Sequence, residues 1–156
     1  MPAIRVIVFI LLIFTLPLTS HSSPVTAAKT DKCPVCGMFV AKYQAFMAQV
    51  IFTDGSYALF DGAKDMFKYY LHLPKYNAAK KPSDIAFIYV TDYYSLSPVD
   101  GQAAWYVIGS DVFGPMGQEP IPFALEADAR EFMKDHAGKV VLPFAAVTPE
   151  LLKGLD

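Results

Sequence analysis

The chain has 156 residues, of which 54% are hydrophobic, and a formal net charge of -2 at pH 7. This length fits one compact domain or two very small ones. The mildly acidic charge, with no basic run, argues against nucleic acid and against an anionic membrane surface as partners.

The N-terminal segment, residues 1–28, has the pattern of a secretory signal. Arg5 precedes an apolar run over residues 6–18, and small or polar residues follow it. A helix over that run would reach only about 20 Å, short of the ~30 Å hydrocarbon core of a bilayer. Cleavage after Ser22, Ala27 or Ala28 fits the pattern, and an uncleaved membrane anchor is the alternative.

Export is the expectation that follows from this segment. No cysteine lies in or just after the apolar run, so a lipid anchor of the bacterial lipoprotein kind is not expected. Membrane attachment would then come only through an uncleaved signal. Export also places the two cysteines of the chain in an oxidising compartment, where a disulfide is permitted.

The folded part is predicted over residues 29–156, and its first half forms a loop, a hairpin and a helix. Strand formers flank Asp54-Gly55, which favours a tight turn. Asp61 is predicted to cap the helix, and Pro74 to end it. The predicted elements of this half are strands over 46–53 and 56–60 and a helix over 63–71.

The second half is predicted to contain four short strands and two helices. A glycine-punctuated loop covers residues 109–117. Gly138 is the expected stop of the first helix, and Thr148-Pro149 is the expected start of the last one. The predicted elements are strands over 85–90, 104–108, 121–125 and 140–142, a helix over 127–137 and a terminal helix.

The two longer helices match each other in residue class. Residues 63–68 and 129–134 agree in class at each position, with apolar residues at i, i+3 and i+4. Together with the strands before each helix, this predicts an α+β fold made of two related β-β-α units, at about 33–74 and 85–145. The alternative is that any two amphipathic helices would match this well.

The residues that carry chemistry lie in the stretch Cys33–Met38, CPVCGM, which contains both cysteines. Thiolates and thioethers select soft ions such as Cu(I). Met116 lies in a loop of glycine and proline rather than on an apolar helix face, so core packing explains it poorly. If the two loops face each other, the predicted soft-metal ligands are Cys33, Cys36, Met38 and Met116.

Three other interpretations of the cysteine pair stay open. A structural zinc site would need His72 and His136, the two histidines outside the N-terminal segment. A dithiol–disulfide oxidoreductase normally carries the motif at a helix N-terminus, which lowers the thiol pKa, whereas strand-like sequence follows here. An inert local disulfide would close a short loop and so stabilise little.

Hydrolytic chemistry has little support. The sequence shows no serine–histidine–acid set, phosphate-binding loop or HExxH motif, and it contains only 3 histidines. We therefore expect a protein that binds Cu(I) and passes it on, rather than an enzyme.

The chain also resembles the NosL family. The resemblance rests on CPVCGM at 33–38, on FTDG at 52–55 and on GPMG at 114–117, and it covers nearly everything after Asp31. It implies a fold of two β-β-α units that is similar to part of organomercurial lyase. The family's sulfur ligands map onto Cys36, Met38 and Met116, with Cys33 as a further candidate.

The resemblance further implies a periplasmic Cu(I)-binding accessory protein. In that family copper is delivered for the assembly of nitrous oxide reductase in denitrifiers, together with a membrane ABC-type partner complex. A copper-accepting enzyme and such an assembly complex are thus the expected partners. Many members of the family are lipoproteins, and the lack of a lipidation cysteine is a departure from that pattern.

Overall fold

The computed structural model describes residues 23–156. The predicted signal segment lies outside the described residues as far as residue 22. No helix within residues 23–156 has the length and apolar character needed to cross a bilayer.

Strands and helices alternate along the described chain. The strands are β1 (Ala48–Phe52), β2 (Tyr57–Phe60), β3 (Ile85–Thr91), β4 (Pro98–Asp100), β5 (Trp105–Ile108), β6 (Phe113–Gly114), β7 (Gly117–Gln118), β8 (Ile121–Phe123) and β9 (Val140–Pro143). The α-helices are α1 (Ala63–Leu71), α2 (Leu73–Tyr76), α3 (Glu126–Asp135) and α4 (Pro149–Lys153).

The larger sheet is antiparallel and has the strand order β2-β1-β3-β4. Its first hairpin confirms the predicted turn, because Gly55 adopts a φ of 82° between β1 and β2. Every residue of β1 is buried, since this strand has β2 on one side and β3 on the other. The strand therefore lacks the alternation of polar and apolar residues that marks a sheet with one face in water.

A second antiparallel sheet has the order β8-β5-β9, and a separate hairpin joins β6 to β7. Strand β3, which the sequence assigns to the second predicted unit, pairs with β1 in the larger sheet. Antiparallel sheets with helices packed beside them confirm the α+β class. The internal duplication stays a prediction.

Two hydrophobic cores lie among the described residues, and strand β5 contributes to both. The larger core includes Met66 and Phe67 of α1, both 0% exposed, together with side chains of both sheets, such as Tyr106 of β5. The smaller core is centred on Phe123 of β8 and Phe132 of α3, whose rings lie 4.9 Å apart. Burying one such side chain stabilises the fold by about 1.5–3 kcal/mol.

Three predicted helix signals act differently from expectation. Asp61 does not cap α1: Gly62 is the N-cap and has no side chain to accept a hydrogen bond, and the Asp61 carboxylate instead accepts one from the Cys36 thiol. Pro74 lies in the first turn of α2 rather than ending α1. Ala137, with φ of 51°, takes the left-handed position expected of Gly138.

The terminal helix confirms its prediction. Thr148 is the N-cap of α4, and its Oγ1 accepts a hydrogen bond from the Leu151 N–H at 3.3 Å. Leu152 and Leu155 then pack into the larger core. The end of the chain is thereby placed next to α1.

Candidate metal centre

The cysteine loop is closed by its own backbone. The Cys33 N–H donates to the Met38 carbonyl, and the Gly37 N–H donates to the Cys33 carbonyl, each at 2.9 Å. Gly37 has φ of 81°, a conformation that glycine adopts at no steric cost. An isolated bridge between Lys32 and Phe39 holds the base of the loop. The two thiols are therefore fixed on one side of a tight turn.

Two carboxylates meet these thiols. Cys33 Sγ donates to Asp65 Oδ2 at 3.3 Å, and Cys36 Sγ donates to Asp61 Oδ1 at 3.2 Å. Asp61 follows strand β2 directly, and Asp65 lies in the first turn of α1. One ligand atom from each of the four side chains lies within 4.8 Å of the others. The cluster could thus hold one metal ion between a loop, a strand end and a helix start.

Access to the cluster is one-sided. Cys33 is 2% exposed, Asp61 0% and Asp65 3%, whereas Cys36 is only half-buried. An ion would therefore enter and leave past Cys36. Both cysteines are free thiols in this structure.

The electrostatics of the cluster favour protonated thiols when no metal is bound. Burial raises the pKa of the Cys36 thiol to about 12, and hydrogen bonds to Asp65 and Asp61 add to that shift. Burial raises the pKa of Cys33 further still, with the negative charge of Asp65 as an additional cause.

Backbone groups oppose this shift and favour the thiolate. Val35 and Cys36 donate backbone N–H groups to the Cys33 sulfur, and Met38 donates one to the Cys36 sulfur. Hydrogen bonds to the charged form of a group stabilise that form. Once a cation replaces the protons, these donors support the two sulfur ligands.

One atom of the cluster has no protein partner. Asp61 Oδ2 is buried and accepts no hydrogen bond within the described residues. A buried carboxylate oxygen without a donor is costly, and a coordinated cation removes that cost. The donor set of two thiols and two carboxylates therefore fits a bound metal ion.

The two predicted methionine ligands come from different parts of the chain. Met38 is half-buried in the cysteine loop itself. Met116 is 40% exposed at the turn of the β6–β7 hairpin. Its carbonyl accepts a hydrogen bond from Lys64 Nζ at 2.7 Å, and Lys64 is the neighbour of Asp65 on α1. The hairpin is thus tied to the helix that supplies part of the cluster.

The histidines do not join the cluster. Among residues 23–156, the possible ligand atoms that lie within 4.8 Å of the two thiols and of one another come from two aspartates and from no histidine. His136 Nδ1 instead lies 3.0 Å from Asp111 Oδ1, and His72 is exposed. The structure therefore gives no support to a zinc site made of two cysteines and two histidines.

The sequence interpretation missed Asp61 and Asp65. A signal was present: DGAKD at 61–65 places two acids at i and i+4 around a helix start. The sequence interpretation assigns Asp61 to the helix cap, and an acidic residue in the first turn of a helix, as Asp65 is, is ordinary there because it suits the helix dipole.

Fold and site together define a small α+β protein with a candidate metal centre lined by sulfur and carboxylate groups. A sequence model of the NosL family matches residues 24–152. The chain therefore belongs to the NosL family, which confirms the resemblance carried by its motifs.

Named relatives share most of the chain. It is 27% identical over 142 residues to the copper-binding lipoprotein NosL of Stutzerimonas stutzeri, covering 83% of this chain and 68% of that one. The crystal structure of the copper chaperone NosL from Shewanella denitrificans matches with a TM-score of 0.67 at 25% identity, over 82% of this chain and 97% of that one. The solution structure of apo-NosL from Achromobacter cycloclastes is 24% identical, with a TM-score of 0.48 over 67% of this chain and 87% of that one.

Proposed function

We propose that this chain is an exported Cu(I)-binding accessory protein that hands copper to a copper enzyme during its assembly. The observation that carries the proposal is the convergence of Cys33 and Cys36 with Asp61 and Asp65 in a member of the NosL family. Relatives named as a copper-binding lipoprotein and a copper chaperone support copper as the cargo.

The proposed ligands of the cargo are sulfur atoms. Cys33 and Cys36 supply thiolates, and Met38 and Met116 supply neutral thioethers, which suit a monovalent soft cation. Asp61 and Asp65 accept the thiol hydrogens in the metal-free form. Transfer would proceed by ligand exchange, in which a partner's ligands displace one sulfur at a time from the side that Cys36 leaves open.

The proposed client is nitrous oxide reductase, and the proposed helper is a membrane ABC-type assembly complex. Both follow from the family resemblance. The N-terminal pattern supports delivery in the periplasm, with the membrane reached only through an uncleaved signal. The proposed role is transfer without catalysis.

Zinc binding is the second candidate, because two buried carboxylates beside two thiols are also zinc ligands. In that case the four residues of the cluster would hold the ion, and the methionines would be irrelevant. A dithiol oxidoreductase has less support. Its attacking cysteine needs a lowered pKa, whereas burial raises the pKa of the Cys36 thiol to about 12.

Anaerobic titration of the reduced protein with Cu(I), against a competing chelator, tests the proposal. We expect one tightly held copper per chain. Met38→Leu or Met116→Leu should weaken binding roughly 10-fold each, which corresponds to about 1.4 kcal/mol. Cys36→Ser should weaken it much more, because it removes a charged ligand. Leucine keeps the volume of methionine, so the fold should be unaffected.

Met133→Leu is the matched control, because Met133 lies on α3 in the smaller core. It should leave copper binding unchanged. If the wild-type protein loses Cu(I) to the chelator at once, the copper proposal is wrong. Tight zinc binding that ignores both loop methionines but disappears in Asp61→Asn would establish the second candidate instead.

A further inference from the structure

Lys64 is a buried cation that contacts the β6–β7 hairpin and residues Leu155 and Asp156. Lys64 is 1% exposed and lies at the start of α1, between Asp61 and Asp65 of the metal cluster. The ammonium donates to the Met116 carbonyl at 2.7 Å and to the Leu155 carbonyl at 3.1 Å. Asp156 Oδ1 lies 3.5 Å away and supplies a counter-charge. A lysine is kept this deep in a fold only when its donors are satisfied.

Glu119, which follows β7 directly, makes a second contact with the start of α1. It is 2% exposed, and its Oε2 accepts a hydrogen bond from the Lys64 backbone N–H at 2.8 Å. This N–H is one of the unpaired donors at the start of α1, so Glu119 does the capping that Asp61 does not. A Cβ on Gly62 would lie 2.7 Å from Glu119 Oε1, and a Cβ on Gly114 would lie 2.4 Å from Glu119 Cγ. The carboxyl group is thus packed between the helix start and the hairpin.

The β6–β7 hairpin lies outside both larger sheets of the described chain. Each of its strands has two residues, and within the described chain neither joins a larger sheet. Phe113 is 63% exposed and Met116 is 40% exposed. An isolated two-stranded hairpin is marginally stable in water at best. The hydrogen bonds of Lys64 and Glu119 connect this hairpin to α1.

We propose that Lys64 and Glu119 are positioning residues for metal binding. They fix the hairpin on the first turn of α1, the turn that carries Asp65, and so hold Met116 beside the two thiols. The inference rests on the proposed function, because it takes Met116 to be a copper ligand. In this arrangement Lys64 and Glu119 contribute to the preference for an ion that binds thioethers, although neither residue touches the ion.

The test uses Lys64→Met, which keeps the length of the side chain and removes the ammonium donor. We expect Cu(I) affinity to fall by about 10-fold, as for Met116→Leu and within the range found for residues that orient metal ligands. X-ray absorption at the copper edge should show the loss of one sulfur neighbour, as it should for Met116→Leu. The double variant should bind no more weakly than the weaker single one, because both changes remove the same ligand.

Lys68→Met is the matched control. Lys68 lies one turn further along α1 and also pairs with Asp156, at 2.5 Å, and none of its described contacts reaches the hairpin. It should leave the copper affinity and the sulfur neighbours as they are in the wild type. A fall equal to that of Lys64→Met would overturn the inference.

Glu119 gives an independent pair of variants. Glu119→Gln keeps an oxygen that accepts from the Lys64 N–H and should bind copper like the wild type, whereas Glu119→Ala should lose the same sulfur neighbour as Lys64→Met. If Lys64→Met does not fold, the two Glu119 variants test the positioning role. Gly114→Ala is a further test, because its added methyl group would push the hairpin away from Glu119. Thermal unfolding of the metal-free variants establishes which of them are folded.

The possible results separate the inference from the proposed function. If folded Lys64→Met or Glu119→Ala keeps wild-type affinity and all sulfur neighbours while Met116→Leu weakens binding, the positioning role is wrong and the copper function stands. If the wild type itself retains no Cu(I), both fall together. Loss of one sulfur neighbour in both variants, with rescue by Glu119→Gln, supports the positioning role.

Discussion

At the scale of single residues, each thiol of the cluster faces one carboxylate. Cys33 donates to Asp65, and Cys36 donates to Asp61. Because burial raises the pKa of the Cys36 thiol to about 12, and raises that of Cys33 as well, both thiols carry protons at neutral pH. A metal that binds both as thiolates must displace both protons.

Copper affinity should therefore rise steeply with pH. With both thiolates bound, we expect the apparent affinity for Cu(I) to increase about 100-fold from pH 6.5 to pH 7.5. Chelator competition at each pH, corrected for the titration of the chelator, measures the slope. Cys33→Ser should reduce it to about 10-fold per pH unit. A slope of zero in the wild type would mean that no thiol proton is released.

Glu119 predicts a second pH effect, on stability. Burial raises the pKa of this carboxyl from its ordinary 4.5 to about 7. Between these values the folded chain binds more protons than the unfolded chain, so stability must fall as the pH rises from 4.5 to 7. The contribution amounts to about 3 kcal/mol at most. Glu119→Gln does not titrate and should lose this slope.

Urea unfolding of the metal-free protein at pH 5 and pH 7.5 measures the effect. We expect the wild type to lose unfolding free energy relative to Glu119→Gln as the pH rises from 5 to 7.5. Glu131→Gln, at an exposed position on α3, is the control and should follow the wild type. Parallel curves for wild type and Glu119→Gln would contradict the prediction.

At the scale of elements, β1 does more than pair with its neighbours. Gln49 lies in this strand with 2% exposure. Its Oε1 accepts from the Val25 N–H at 2.8 Å, and its Nε2 donates to the Val25 carbonyl at 3.0 Å. The Gln49 side chain thereby makes the same two hydrogen bonds to Val25 that the backbone of a neighbouring strand would make. The segment from Val25 onward is thus attached to the folded domain.

Gln49→Leu should release this segment. Leucine has a similar volume but leaves Val25 without its two partners, at a cost of about 1–3 kcal/mol. Hydrogen exchange should show loss of protection at Val25, with the amides between β1 and β2 still protected. Gln102→Leu, at an exposed loop position, is the control. Unchanged exchange at Val25 would show that water replaces the side chain without loss.

At the scale of the whole molecule, the two sheets are joined where β3 ends. Asp92 Oδ1 accepts from the Ser95 N–H at 2.7 Å, and its Oδ2 accepts from the Ala124 N–H at 2.8 Å. The Tyr93 N–H donates to the Pro122 carbonyl at 3.0 Å. Burial alone would raise the pKa of Asp92, but the backbone donors outweigh it and lower the pKa.

Asp92→Asn should destabilise the whole fold by about 1.5–3 kcal/mol, because a charged acceptor shared by both halves is lost. Because the folded state lowers the pKa of Asp92, the ionised carboxylate stabilises the fold above the unfolded pKa near 4. This stabilisation is lost as the pH falls through the lower pKa of the folded state. The difference in unfolding free energy between wild type and Asp92→Asn should therefore shrink below about pH 4. Asp100→Asn, an exposed acceptor, serves as control. A variant as stable as the wild type at pH 7 would contradict this role.

Local elements could be predicted because their causes lie within a few residues. The turn at Gly55, the apolar face of α1 and the cap at Thr148 each depend on neighbours in the chain. Caps that depend on distant residues were missed, because Glu119 satisfies the start of α1 from another part of the fold. The same holds for Ala137, whose left-handed backbone no local preference predicts.

The sequence by itself determined the α+β class, the cysteine loop and membership of the NosL family, since a contiguous motif and short-range periodicity carry them. The tertiary structure alone decided which charges surround the sulfur atoms. Cys33 lies 32 residues from Asp65, and Lys64 lies 55 residues from Glu119. Contacts over such separations arise when the core brings the elements together. Only burial then distinguishes a site carboxylate from an ordinary surface acid.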